Sequence, residues 1–267
     1  MRGLAIISLL TATLCGCNLR SPPPPVSAPV PVQNPGKERT DVLIYGGVGA
    51  WGEEIESIKN ILIAHGKTYV EYDDFTFNEL TETKFEQFSL VIFAGGNSDR
   101  TSQKLKPETK RNLQNAVINR GVNYLGFCSG AWLAVSPEPR DAGEHYGFQF
   151  LTGPWLEHTP YDQQNLHYSV VQASFPDGVT RKLLWFGGPI TPDIPGGVVA
   201  RYPDGRPAIS QIKSGKGFVI ISGLHPAATK PILKSLSVYE REAIAPELAW
   251  SMIDAGLSAK PMAAFLE

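Results

Sequence analysis

The segment Asn123-Tyr124-Leu125-Gly126-Phe127-Cys128-Ser129-Gly130-Ala131-Trp132 sets a cysteine between two glycines at the end of an apolar run. Gly-x-Cys-x-Gly in that position describes a sharp turn from strand to helix. Small residues on either side let the backbone double back and leave the middle side chain exposed above a sheet, as in a nucleophile elbow. The turn also puts the sulfur at a helix N-terminus, where the macrodipole favours a negative charge. The chemistry this suggests is a reactive thiol. The alternative is a buried small hydrophobe, which is what isolated cysteines usually are.

The compartment bears on that choice. Met1-Arg2-Gly3 is a short positive start, and Leu4 to Leu14 is apolar and uncharged, too short to span a bilayer and suited to a signal-peptide core. It runs into Leu14-Cys15-Gly16-Cys17, which resembles the bacterial lipobox, with Leu three residues before the cysteine and Gly directly before it. Cys15 departs from that pattern, which usually has Ala, Ser or Thr there. The resemblance implies cleavage to leave residues 1–16 as a lipoprotein signal peptide, with diacylglycerol on Cys17. Residues 17–39 then read as a linker, since four prolines stand in a row at Pro22 to Pro25 and the composition makes an extended, semi-rigid spacer. Lipid on Cys17 would be the membrane contact, each buried methylene contributing about 0.8 kcal/mol. The expected location is the bacterial cell envelope, with the domain in the periplasm or at the outer surface.

Roughly 230 residues remain, enough for one large core or two small ones. A net charge of -2 and a pI near 6.2 give no general attraction to nucleic acid, so no nucleic-acid partner is expected. With Cys15 removed and Cys17 lipidated, Cys128 has no intrachain partner. A free thiol in an oxidising compartment needs a reason. The five histidines are scattered without metal-ligand spacing, so neither a metal nor another cofactor is expected.

The elements that must position Cys128 alternate in type. Asp41 to Tyr45, Lys67 to Tyr72, Leu90 to Ala94 and Val122 to Phe127 are short apolar strands. Glu53 to His65 and Pro107 to Arg120 carry helical spacing, each closed by a glycine. Apolar strands separated by helices predict a mostly parallel α/β sheet covered on both faces. Ligands of such sheets bind beyond the carboxyl ends of the strands, where Gly46-Gly47, Gly95-Gly96 and Cys128 all fall. From residue 146 to 222 the texture changes to short β-rich runs broken by turns such as Pro203-Asp204-Gly205, which predicts antiparallel hairpins.

Taken together these features resemble the class I glutamine amidotransferase-like fold, a flavodoxin-like architecture. Within it they are most similar to the domain family named for the N-terminal region of biotin–protein ligases. Tyr45-Gly46-Gly47 with Gly49 and Trp51, then Trp185-Phe186-Gly187-Gly188-Pro189, and finally Ser222-Gly223-Leu224-His225-Pro226 carry the likeness. It covers residues 40–258, leaving 259–267 as a C-terminal tail. No counterpart of the glycine- and arginine-rich biotinyl-adenylate loop is present, so biotin ligase activity is not expected.

The resemblance implies Cys128 as nucleophile and His225 as its base, a pair able to attack an acyl or amide carbon. It also implies an oxyanion site from the backbone N–H groups of Gly95, Gly96 and Ser129. The family's acid two residues after the histidine is here Ala227. Glu53, Glu54 and Asp193 are the carboxylates on predicted cleft loops that could replace it. Two functions stay open. One is a membrane-tethered cysteine hydrolase of an amide, peptide or ester. The other is a non-catalytic module that binds a small molecule, peptide or protein in the cleft, with Trp51, Trp132 and Trp185 as its apolar walls.

Overall fold

The computed structural model describes residues 39–135, 146–151, 157–163, 167–238 and 243–266. The proposed signal peptide, Cys17 and the proline-rich spacer through residue 38 lie outside the described residues. Among the described residues no helix is long and apolar enough to cross a membrane.

The described residues build one sheet of nine strands in the order β2-β1-β3-β4-β9-β8-β7-β5-β6. Its first half is made from β1 (Thr40–Tyr45), α1 (Gly52–Ala64), β2 (Tyr69–Tyr72), α2 (Asp74–Phe77), α3 (Glu82–Phe85), β3 (Phe88–Phe93), α4 (Ser98–Lys104), α5 (Pro107–Arg120), β4 (Asn123–Phe127) and α6 (Ser129–Ala134). The second half holds α7 (Pro160–Gln163), β5 (Ser169–Ser174), β6 (Thr180–Trp185), β7 (Val198–Arg201), β8 (Pro207–Ser214), β9 (Gly217–Ser222), α8 (Lys230–Ser235) and α9 (Pro246–Ser258). The short helices α2, α3 and α4 were not among the sequence expectations. Each begins at a polar cap, Asp73, Thr81 or Asn97, whose side chain accepts from a backbone N–H inside the first turn.

Strand alternation sorts the core onto two faces. Val42, Ile44, Leu90, Ile92, Leu125 and Phe127 point one way, against Ile58 and Leu62 of α1 and Met252 and Ile253 of α9. Leu43, Tyr45, Val91, Phe93 and Tyr124 point the other way, against Leu113 and Val117 of α5 and Phe77 and Phe85. Burial on both faces is the physical reason these strands are apolar throughout.

The four strands predicted as parallel, β2, β1, β3 and β4, are joined by β9, a run expected among the hairpins, and the four pairings of these five strands are all parallel. The hairpin strands extend this same sheet, adding four antiparallel pairings from β9 outward. The whole sheet is therefore mixed, parallel from β2 to β9 and antiparallel beyond it. Strand β9 makes this possible by pairing in parallel with β4 on one side and antiparallel with β8 on the other. Residues 259–266 pack back onto the domain, with Met262 exchanging two hydrogen bonds with the Gln211 side chain and Phe265 N–H donating to Val198 O.

Candidate active site

The turn after β4 is built as its glycines require. Cys128 caps α6 at φ 45° and ψ −98°, a conformation strained for a side chain larger than glycine. Its N–H donates to Ser222 O of β9 at 2.7 Å, which holds the turn in place from the neighbouring strand. A Cβ on Gly126 would approach Gly130 C and O at 2.5 Å, and one on Gly130 would approach Phe93 O at 2.5 Å. Backbone packs on backbone at both positions, so both must be glycine. Cys128 is buried at 3% exposure. Its thiol donates to the carbonyl of Phe186 at 3.1 Å.

His225 follows β9, and its N–H donates to Leu184 O of β6 at 2.8 Å. A buried Ser57 hydroxyl donates to Ala227 O at 2.6 Å, tying the loop after the histidine to α1. The imidazole itself is fully buried. Its Nδ1 lies 2.9 Å from Oε1 of Glu54, and the other oxygen, Oε2, accepts the Gly95 N–H at 2.6 Å. Glu54 reaches this position from the first turn of α1, where an acid also complements the helix dipole. Nε2 has no hydrogen-bond partner among the described residues.

Burial of the ring works against its positive charge. The Glu54 carboxylate and the nearby Cys128 sulfur outweigh that, and the His225 pKa is raised from 6.5 to about 10. Since Glu54 takes Nδ1, the nitrogen left to face the sulfur is Nε2. The sulfur lies 3.1 Å from the Phe186 carbonyl and is close enough to the ring to help raise its pKa. The ring is otherwise walled by aromatics: Trp51 stands edge-on at 5.2 Å between centroids, and Phe186 lies at 6.4 Å.

Of the three carboxylates expected as candidates, Glu54 alone meets the histidine. Glu53, the adjacent residue, is exposed to solvent. Asp193 is exposed and pairs with Arg201 at 3.2 Å. The glycines also separate. Gly95 does sit against His225 and Glu54, but its one N–H is taken by Glu54, so it is not free to face an oxyanion. Gly96, at φ 141°, and Ser129 have N–H groups that meet no acceptor among the described residues. Gly46 and Gly47 lie toward Glu71 and Asp74 on the β2 side. The chain beyond them reaches the site instead, through Trp51 N–H to Gly95 O at 2.8 Å and Asn97 N–H to Gly49 O at 2.8 Å.

Trp185, expected as a cleft wall, is fully buried in the core with its indole N–H on Gly188 O at 2.8 Å. Trp51 and Trp132 do border the site. The sequence reading assigned no chemistry to Phe186. The only signal was the Trp-Phe-Gly-Gly-Pro run, since a backbone carbonyl acceptor leaves no mark in residue type.

No protein-family model matches the chain, and no curated protein matches it. Among solved structures it is similar to a ThuA-like protein from Bacteroides uniformis, at 12% identity and TM-score 0.47, over 82% of this chain and 100% of that one. It is also similar to an exo-beta-1,4-mannosidase from an Opitutaceae bacterium, at 12% identity and TM-score 0.45, over 81% of this chain and 36% of that one. DJ-1 from Schizosaccharomyces pombe aligns at 11% identity and TM-score 0.36, over 83% of this chain and 99% of that one. The chain thus spans about a third of the mannosidase's length. At these scores the likenesses assign neither fold nor activity.

Proposed function

We propose that this protein is a cysteine-dependent hydrolase of an amide, peptide or ester, built on a glutamine amidotransferase-like domain and tethered to the cell envelope by lipid on Cys17. The observation that carries the reading is the buried Glu54–His225 contact at 2.9 Å, which leaves Nε2 unpartnered beside the one cysteine of the described domain. A carboxylate on Nδ1 sets the tautomer and favours the protonated ring, the part an orienting acid plays in a hydrolytic triad.

The chemistry follows from those positions. With the ring held protonated beside Glu54, loss of the thiol proton to solvent leaves a thiolate–imidazolium pair, the ring standing between two negative groups, Glu54 and the thiolate. The thiolate attacks the acyl carbon, and its carbonyl oxygen gathers charge against the N–H groups of Ser129 and Gly96. The imidazolium then gives its Nε2 proton to the departing amine or alcohol, leaving a thioester on Cys128. Water, deprotonated by the ring, cleaves the thioester, releasing the acid and restoring the thiolate–imidazolium pair.

One observation favours the second reading, a binding module without turnover: Cys128 is 3% exposed and its thiol donates to Phe186 O. Incubation with p-nitrophenyl acetate separates the two. Hydrolysis predicts an acyl adduct on Cys128 by intact mass, multiple turnovers, and loss of both in Cys128→Ala. An adduct that accumulates and never releases supports binding. Absence of any adduct in folded protein overturns the nucleophile assignment.

A further inference from the structure

The segment Phe186-Gly187-Gly188 offers three consecutive carbonyls, and each holds a side-chain donor. Phe186 O accepts the Cys128 thiol at 3.1 Å, Gly187 O accepts the Trp132 indole N–H at 3.2 Å, and Gly188 O accepts the Trp185 indole N–H at 2.8 Å. These bonds differ in what they can give up. Trp185 is core, and Gly188 packs so closely on Gly223 that a Cβ would collide with its backbone, so that end is fixed. Gly187 is at φ +69° with nothing within 4 Å of a would-be Cβ, which leaves it room to turn. Trp132 is partly exposed and lies four residues after Cys128, on the next turn of the helix that the cysteine opens.

We infer that Phe186 and Gly187 form a strap over the thiol, latched by Trp132, and that reagents and substrates reach Cys128 only when the latch releases. In the closed form the strap carbonyl takes the thiol hydrogen, and the buried Nε2 of His225 meets no partner at hydrogen-bond geometry. An orphaned buried nitrogen is costly, and opening the strap frees the sulfur to turn toward it. The latch and the base are thus coupled through one S–H bond. Trp132 here sets access and does no chemistry. The inference uses the site of the hydrolase reading, but its test reads thiol exposure alone and stands whether or not turnover exists.

The test is the rate of iodoacetamide labelling of Cys128 in the full-length protein, followed by intact mass. Trp132→Phe keeps the ring and removes the N–H, and should raise the rate about three- to tenfold, the scale of one lost hydrogen bond. Gly187→Ala meets no neighbour but strains the closed φ, and should raise it by a similar factor. Trp250→Phe is the control, because Trp250 stacks on His65 away from the strap, and its rate should match the wild type. If Trp132→Phe fails to fold, Gly187→Ala decides alone. Unchanged labelling in every folded strap variant overturns the inference. So does an equal rise in Trp250→Phe, which would mean general loosening. Faster labelling without a change in p-nitrophenyl acetate turnover would keep the strap and count against the hydrolase reading.

Discussion

Glu54 and His225 stand 171 residues apart in the chain, and a 2.9 Å contact joins Oε1 of one to Nδ1 of the other. Both side chains are buried, so the pair is isolated from solvent screening and each partner depends on the other. Removing one charge should therefore be felt at the neighbouring Cys128 thiol.

Glu54→Gln keeps the shape and removes the charge. The amide no longer favours the protonated ring, and acylation of Cys128 should fall on the order of 10³-fold, within the range seen when a triad histidine loses its acid. The His225 imidazole should titrate well below its wild-type position by NMR. Wild-type acylation rates in a folded Glu54→Gln protein would remove Glu54 from the mechanism.

Stability should depend on pH through the same pair. The folded pKa of His225, about 10, lies above the ordinary 6.5. Between those values the folded state binds the extra proton, so stability falls as pH rises. The contribution is complete below about pH 6.5 and is lost as pH passes through about 10. Melting temperature measured from pH 6 to 10.5 should decline across that window, and the decline should flatten in Glu54→Gln. A wild-type profile no steeper than the variant's would contradict the charged pair.

Gly95→Ala should be damaging for a steric reason. The new methyl would collide with Cε1 of His225 and lie 2.9 Å from Oε2 of Glu54, with both neighbours buried. Overpacking of this kind costs about 1–3 kcal/mol. Thermal melting should register the loss, and Cys128 acylation should drop because the ring is pushed from its acid. Gly187→Ala meets no neighbour and costs only the strain of its positive φ, about 1–2 kcal/mol, so it should melt closer to the wild type.

The anchoring proposal is independent of the site. Cys17→Ser should abolish incorporation of labelled fatty acid and release the protein from the membrane fraction. A soluble, unlabelled product from the wild-type gene would rule the lipid out.

The local chemistry of the turn was written in the sequence. Gly126 and Gly130 around Cys128 require a chain that doubles back, because backbone atoms occupy the space where their side chains would be. The apolar runs at β1, β3 and β4 and the Pro-to-Gly span of α5 were equally legible, since strand and helix periodicity act over a few residues. What stayed hidden depends on contacts between distant segments. Glu53 and Glu54 are chemically alike and adjacent, and only the rotation of α1 against β9 turns one toward His225 and the other to water. Gly95 looked like a free donor until folding brought a carboxylate to its N–H. The hairpins looked like a separate texture, and their joining to the parallel strands rests on the pairing of β9 with β4 and β8 together. The carbonyl of Phe186 could not be read at all, because every residue carries the same carbonyl and only tertiary packing decides which one meets the thiol.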